Sequence, residues 1–266
     1  MVRESAVAGM FYSGDERSLK KELSKFISFN ESKKRVIGLI SPHAGYVYSG
    51  GCAGKGFSMV EIPDTVIILG VNHRGVGYSF AVDGNNFWRT PLGDVAVNIE
   101  LRSKLVEDSE VFKIDSIAGR DEHSLEVQVP FIQYQNPDAK ILPITISSNN
   151  FKDLKNGGME IAKLINSNKD IMIVASSDMS HYIDAEEAKI MDNKAIDKIL
   201  NLDSEGLFKT VFENRISMCG VCPVVMMIIA AIESGAKKAE IIEYTNSGKV
   251  TGDFSEVVAY LSMMIY

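Results

Sequence analysis

VIGLISPHAGYVYSGG, residues 36–51, decides the fold. Residues 36–40 are apolar without polar interruption, the pattern of a strand buried on both faces of a parallel sheet. Pro42 has no N–H to donate and ends the ladder. His43 follows at once, with Gly45, Gly50 and Gly51 allowing tight turns around it. A histidine at the carboxyl end of a buried parallel strand stands where open α/β sheets bind ligands. Taken alone, it reads more readily as a hydrogen-bonded structural residue.

The pattern repeats further along the chain. TVIIL, residues 65–69, is a second buried strand and runs through Gly70, Val71 and Asn72 to His73. IMIVASSDMSHY, residues 171–182, is a third, leading into Ser176, Ser177, Asp178 and His181. The spacing of Asp178 and His181 predicts a tight turn or a first helical turn. Of four histidines in the chain, three thus fall at equivalent strand ends, which favours function over structure. The fourth, His123, opens a helix predicted over 122–135 and kinked by Pro130, with Asp121, Glu122 and Glu126 as neighbours.

Buried strands are also predicted at 141–146 and 241–244, and a closing strand at 256–265. Residues 6–12 read as a packed loop, and a capping-box spacing at 13–16 starts a helix bearing Leu19, Leu23 and Phe26. Further helical patterns cover 51–59, 100–106, 153–165, 185–200, 204–212 and 221–234. Residues 78–98, with short alternating pieces, suggest an antiparallel excursion whose Trp88 either lines a pocket or anchors the core. Strand and helix alternate from end to end. The expected fold is therefore α/β, a single domain over residues 1–266 with a mainly parallel central sheet flanked by helices.

Composition bounds the function. Hydrophobic residues make up 45% and charged residues 24%, an ordinary soluble balance. A net charge of -7 leaves no basic footprint for nucleic acid or an anionic membrane. The longest apolar run, 224–232, is too short to span a bilayer, and no signal peptide is visible, so the expected location is cytoplasmic. Three cysteines do not make a disulfide framework. Cys52 reads as a small buried hydrophobe. Glycines 50–56 do not follow the dinucleotide fingerprint.

Several imidazoles converging on one crevice point to zinc, iron or copper. Two histidines and a carboxylate would make a non-haem iron site, with Asp178 or a glutamate as the carboxylate. Alternatively Cys219, at the start of the 221–234 helix where the dipole favours an anion, supplies a thiolate. A competing reading is thiol redox chemistry at Cys219 and Cys222, a CxxC pair followed by Pro223.

SPHAGYVYSG with His43, LGVNH with His73, TPLGDV at 90–95, EHSLEVQVPF with His123, SSDMSHY with Asp178 and His181, and MCGVCP with Cys219 together resemble the Memo family, in the order that family carries them. The likeness runs from AVAGMFY at 6–12 to NSG at 246–248. It implies a fold like the class III extradiol, LigB-type dioxygenases, in which two histidines and a glutamate hold Fe(II) and another histidine is the acid/base. The resemblance assigns the metal to His43, His73 and Cys219, the last standing where the dioxygenases have glutamate. It assigns pocket roles to His181, Asp178 and His123, with His181, oriented by Asp178, as the proton carrier. Fe(II) is the implied cofactor, and the softer thiolate admits copper or zinc. The implied partners are a small-molecule substrate and companion proteins that include a radical-SAM enzyme. Animal members are also associated with binding phosphotyrosine peptides, which makes an adaptor role for the same pocket the alternative. The chain departs from animal members in having one histidine in VNHR and Cys222 where they have histidine.

Overall fold

Apolar runs bounded by Pro and Gly form the middle of the sheet, because only strands covered on both faces tolerate so little polarity. The computed structural model describes every residue except 29, 31 and 108. Its strands are β1 (Val2–Arg3), β2 (Gly38–Ser41), β3 (Thr65–Val71), β4 (Phe80–Val82), β5 (Phe87–Thr90), β6 (Gly93–Ala96), β7 (Lys113–Ile114), β8 (Lys140–Ile146), β9 (Ile171–Ser176), β10 (Asp178–Ile183), β11 (Ala239–Asn246) and β12 (Val257–Ile265). Its helices are α1 (Glu16–Phe26), α2 (Tyr46–Met59), α3 (Ile99–Glu107), α4 (His123–Glu126), α5 (Val129–Gln135), α6 (Phe151–Ser167), α7 (Ala185–Leu200), α8 (Ser204–Glu213), α9 (Val221–Glu233) and α10 (Gly248–Thr251).

Strands β2, β9, β3 and β8 lie side by side and parallel. Every residue of β2 and β9 is buried. Successive strand residues point to opposite faces, and the two faces have different covers. Gly38 faces α9, where a Cβ would come 2.6 Å from Sδ of Met227, whereas Leu39 approaches Gly56 of α2. The parallel centre is flanked by antiparallel strands: β12 beside β2, and β4 beside β8. The sheet is therefore mixed, an α/β fold with a parallel core. Tyr260 of β12 pairs with both Asp178 of β10 and Thr245 of β11, so β10 runs along the same side of β12 as β2, beyond its carboxyl end. None of the described helices is long and apolar enough to cross a membrane.

Several local expectations change. The 122–135 helix is two helices, α4 and α5, and Pro130 is the second residue of α5, where its missing N–H costs nothing. α2 starts at Tyr46 rather than residue 51, because its glycines are contact surfaces: Gly50 abuts the Phe26 ring of α1. Asp178 and His181 lie on strand β10, not on a turn or helix. The 241–244 strand is real but lies at the sheet's edge, paired only with β12 and partly exposed. Trp88 is fully buried in a small second sheet of β1, β5 and β6, so it anchors the core instead of lining a pocket.

That second sheet is fastened to the main one by charge. Arg3 stacks 4.0 Å over the Trp88 ring and gives Nη1 to Glu126 at 2.6 Å, Nε to the Gly119 carbonyl and Nη2 to the Glu122 carbonyl. Glu126 also accepts the N–H groups of Ala6 and Val7 and the Tyr12 hydroxyl, at 2.7–3.0 Å. The segment 2–12 is thus a strap across α4. Glu126→Ala leaves Arg3 buried without a counter-charge and is expected to cost about 3–5 kcal/mol in urea unfolding, of which the double change Arg3→Met with Glu126→Met recovers part. A loss under about 1 kcal/mol from the single change would show that the strap does not depend on this pair.

Candidate metal centre

The carboxyl ends of β2, β3 and β9 meet the start of α4, and the side chains there are held by a chain of hydrogen bonds. His43, buried, donates its N–H to Asp178 Oδ1 at 2.7 Å and places Nδ1 2.9 Å from Ser176 Oγ. The Ser176 hydroxyl has one proton, and it goes to the Ser124 carbonyl oxygen at 2.6 Å. Gln128 Nε2 donates to the same Oγ, at 2.9 Å. His43 Nδ1 must therefore carry the proton it shares with Ser176, which leaves the Nε2 lone pair free.

His73 is fixed in the same sense by a carboxylate. Its N–H donates to Glu122 Oε2 and its Nδ1 to Oε1, both at 2.8 Å. Glu122 caps α4 by accepting the Ser124 N–H at 2.9 Å. Burial alone would raise the Glu122 carboxyl, but the bonds from His73 and Ser124 and the charge of the neighbouring histidines outweigh it and hold it down at about 2. The helix reaches the strand end because Gly70 has no side chain: a Cβ there would lie 2.7 Å from Leu125 Cγ and Ser124 Oγ. His123, first residue of α4, then stacks on His73 with centroids 4.7 Å apart and meets His43 edge-on at 5.4 Å. One ring nitrogen from each of His43, His73 and His123 lies within 4.8 Å of the others.

Burial, and after it the proximity of the other histidines, pushes His43 well below the usual imidazole range. Burial lowers His123 too, with Glu122 opposing. His43 and His123, desolvated and set against other imidazoles, are held toward the neutral form that offers a lone pair, whereas His73 is exposed.

Cys219 closes the other side. Its Sγ is 3.2 Å from His43 Nε2 and accepts the Asp178 N–H at 3.3 Å. The loop before α9 carries it there, with the Gly220 N–H donated to Ser177 Oγ at 3.0 Å. Burial, then the Asp178 charge, pushes the Cys219 thiol up, and burial pushes Cys222 up to about 12. Without a cation both sulfurs are thiols, the reverse of the depressed pKa of a reactive CxxC. Burial raises Asp178 to about 6 against the pull of the His43 and Ala44 N–H groups. His181 donates its N–H to Ser217 Oγ at 2.8 Å and Nδ1–H to the Ser217 carbonyl at 2.9 Å, which leaves Nε2 unengaged at a half-buried position.

Of the residues singled out in the sequence, the structure groups His43, His73, His123 and Cys219, with Asp178 behind His43; the His181 ring touches Tyr182 and none of the other imidazoles. Glu122 and Ser176 position the imidazoles, with Gln128 holding Ser176, and no local pattern in the sequence marks these roles. For Glu122 the available signal was a carboxylate beside His123, but its partner is His73, forty-nine positions away.

Fold and site define an α/β protein in which imidazoles at the ends of two parallel strands and at the start of α4 meet a thiol from the loop before α9, a donor set that fits a divalent transition-metal ion. The chain belongs to the Memo family. The model of that family, described as Memo-like protein, matches residues 3–264. A MEMO1 family protein of Aquifex aeolicus is 41% identical over 99% of this chain and 98% of its own length. Another, of Sulfurisphaera tokodaii, is 39% identical over 99% of each chain. A crystal structure of an uncharacterised Escherichia coli K12 protein, 14% identical, covers 86% of this chain with a TM-score of 0.53 and shares the fold.

The hydrogen-bond chain makes a spectroscopic prediction. Long-range 1H–15N correlation on the metal-free protein is expected to show His43 as the Nδ1–H tautomer, and Ser176→Ala to let the other tautomer appear. A dominant Nε2–H form in the unaltered protein would contradict the hub assigned to Ser176.

Proposed function

We propose that this chain is a metal-dependent oxidoreductase of the non-haem iron, dioxygenase-like kind, acting on a small molecule. The observation that supports it is the convergence of three imidazoles, two with Nδ1 tied back so that Nε2 is presented inward. Imidazole lone pairs oriented by hydrogen bonds on the far nitrogen are how histidine ligands are held in metal proteins. His43 and His73 hold the ion, with Cys219 as the third ligand expected from the family resemblance and His123 as the third that geometry offers. Fe(II) suits this use, and the thiol gives copper or zinc a claim.

When bound, such an ion supplies a Lewis acid and an open coordination site. This chain's residues do the rest. The burial that keeps His43 and His123 neutral also thins water around the site. His181, with Nδ1–H anchored on the Ser217 carbonyl, takes or gives a proton at Nε2. Asp178 holds the His43 backbone and bears on the charge that His181 acquires.

Metal content by mass spectrometry, on untagged protein purified without oxygen, tests the reading. Near-stoichiometric iron is expected, falling at least about tenfold in His43→Ala and His73→Ala. Comparing His123→Ala with Cys219→Ser identifies the third ligand by which of the two loses the ion. Protein that binds no metal, with all four variants alike, would end the metal reading; where iron is bound, dioxygen uptake with catechols follows.

A further inference from the structure

The loop that delivers His73 continues into a cleft that the metal reading does not use. After His73 the chain passes Gly75 and Gly77, at φ of 66° and 80°. The turn is pinned by Asn72, which donates Nδ2 to the Val76 carbonyl at 2.7 Å and accepts the Gly75 N–H at 2.8 Å. It raises Arg74 to the lip of a cleft of about 670 Å³, lined by Val7, Met10, Phe11, Val76 and Ile117 with His123 in its wall. That volume suits a small organic ligand. Met10, Val76 and Ile117 are 73%, 42% and 58% exposed, apolar groups with nothing over them.

The lip is cationic in a chain whose net charge is -7. Arg120 and Asp121 also line it and pair with each other, Nε to Oδ2 at 3.0 Å. Arg74 commits only Nε, to the Asp121 carbonyl at 3.4 Å, and pairs with no carboxylate among the described residues. Its two Nη groups are therefore open. A guanidinium with a free edge is a planar fork matched to a carboxylate or a phosphate.

We propose that this cleft binds a small organic anion with an apolar body. Its headgroup is gripped by Arg74 beside Arg120, its body lies on Phe11, Val76 and Ile117, and its inner end reaches His123. Because His123 both lines the cleft and stacks on His73, the bound molecule is presented to the imidazole cluster. Its being the substrate rests on the proposed metal-dependent function; its binding does not.

The experiment is calorimetric titration of phenylacetate, phenyl phosphate and neutral phenylacetamide into the full chain, once stripped with chelator and once loaded with iron. Either anion is expected to bind at least about tenfold more tightly than the amide, and the better of the two assigns the headgroup. Arg74→Ala is expected to weaken the anion about tenfold, Arg74→Lys to restore only part, and the uncharged change Ile117→Ser to weaken anions and amide alike through loss of the apolar wall. Equal binding of the amide, no binding of either anion, or unchanged affinity in Arg74→Ala would overturn the proposal. Anion binding by protein that takes up no metal would sustain this site and remove the metal reading; metal uptake without anion binding would do the reverse.

Discussion

The Ser176 hydroxyl is the contact on which the site depends. It lies fully buried at the end of β9, gives its proton to the Ser124 carbonyl, and receives those of His43 and Gln128. Gln128 also donates to the Pro42 carbonyl at 2.9 Å. One oxygen therefore joins the ends of two parallel strands to both helices of the α4–α5 pair. A buried polar atom left without a partner costs about 1–3 kcal/mol, so each of these contacts stabilises the placement of the others. The orientation of His43 follows from that closure.

Around this hub two buried carboxylates are driven apart. Glu122 touches the His73 ring and two N–H groups, and is held at about 2. Asp178 receives backbone N–H groups but no ring nitrogen or guanidinium, and burial carries it to about 6. One environment keeps a fixed negative charge that orients an imidazole, while the other brings a carboxylate that is still mostly ionised at neutral pH to where mild acid protonates it. Titratable neighbours separated in this way recur where a protein must hold and move protons. The Glu126 carboxylate does a third thing: through Arg3 and the strap it fixes the start of α4, and so the place of His123.

Much of the fold was legible because burial on both faces demands uninterrupted apolar residues. The runs at 65–69, 141–146 and 171–175 are strands of the parallel core, and the run at 36–40 leads into one, β2, which starts at Gly38 and extends through Ser41. Local pattern and packing diverge at particular residues. The glycines of α2 read as turns yet are places where α1 and β12 press close. Pro130 read as a kink and is a helix start. His123 opens a helix, as its sequence context predicts, but no spacing along 122–135 shows that this helix leans on the end of β3. Strand β10 is not legible in the sequence because Asp178 and His181 carry no alternating apolar signal; its ladder is made with β12, far along the chain, where Asp178 pairs with Tyr260.

The sequence by itself determined the parallel strands, the histidines at their ends and the family to which the chain belongs, because each is written in contiguous residues. Only the tertiary structure decided which imidazoles meet, which nitrogen each presents, and that Cys219 faces His43. Those are properties of distance and of shared protons between residues 43, 73, 123, 176 and 219, set by strand order, by the absent side chain at Gly70 and by the single hydrogen of a buried hydroxyl.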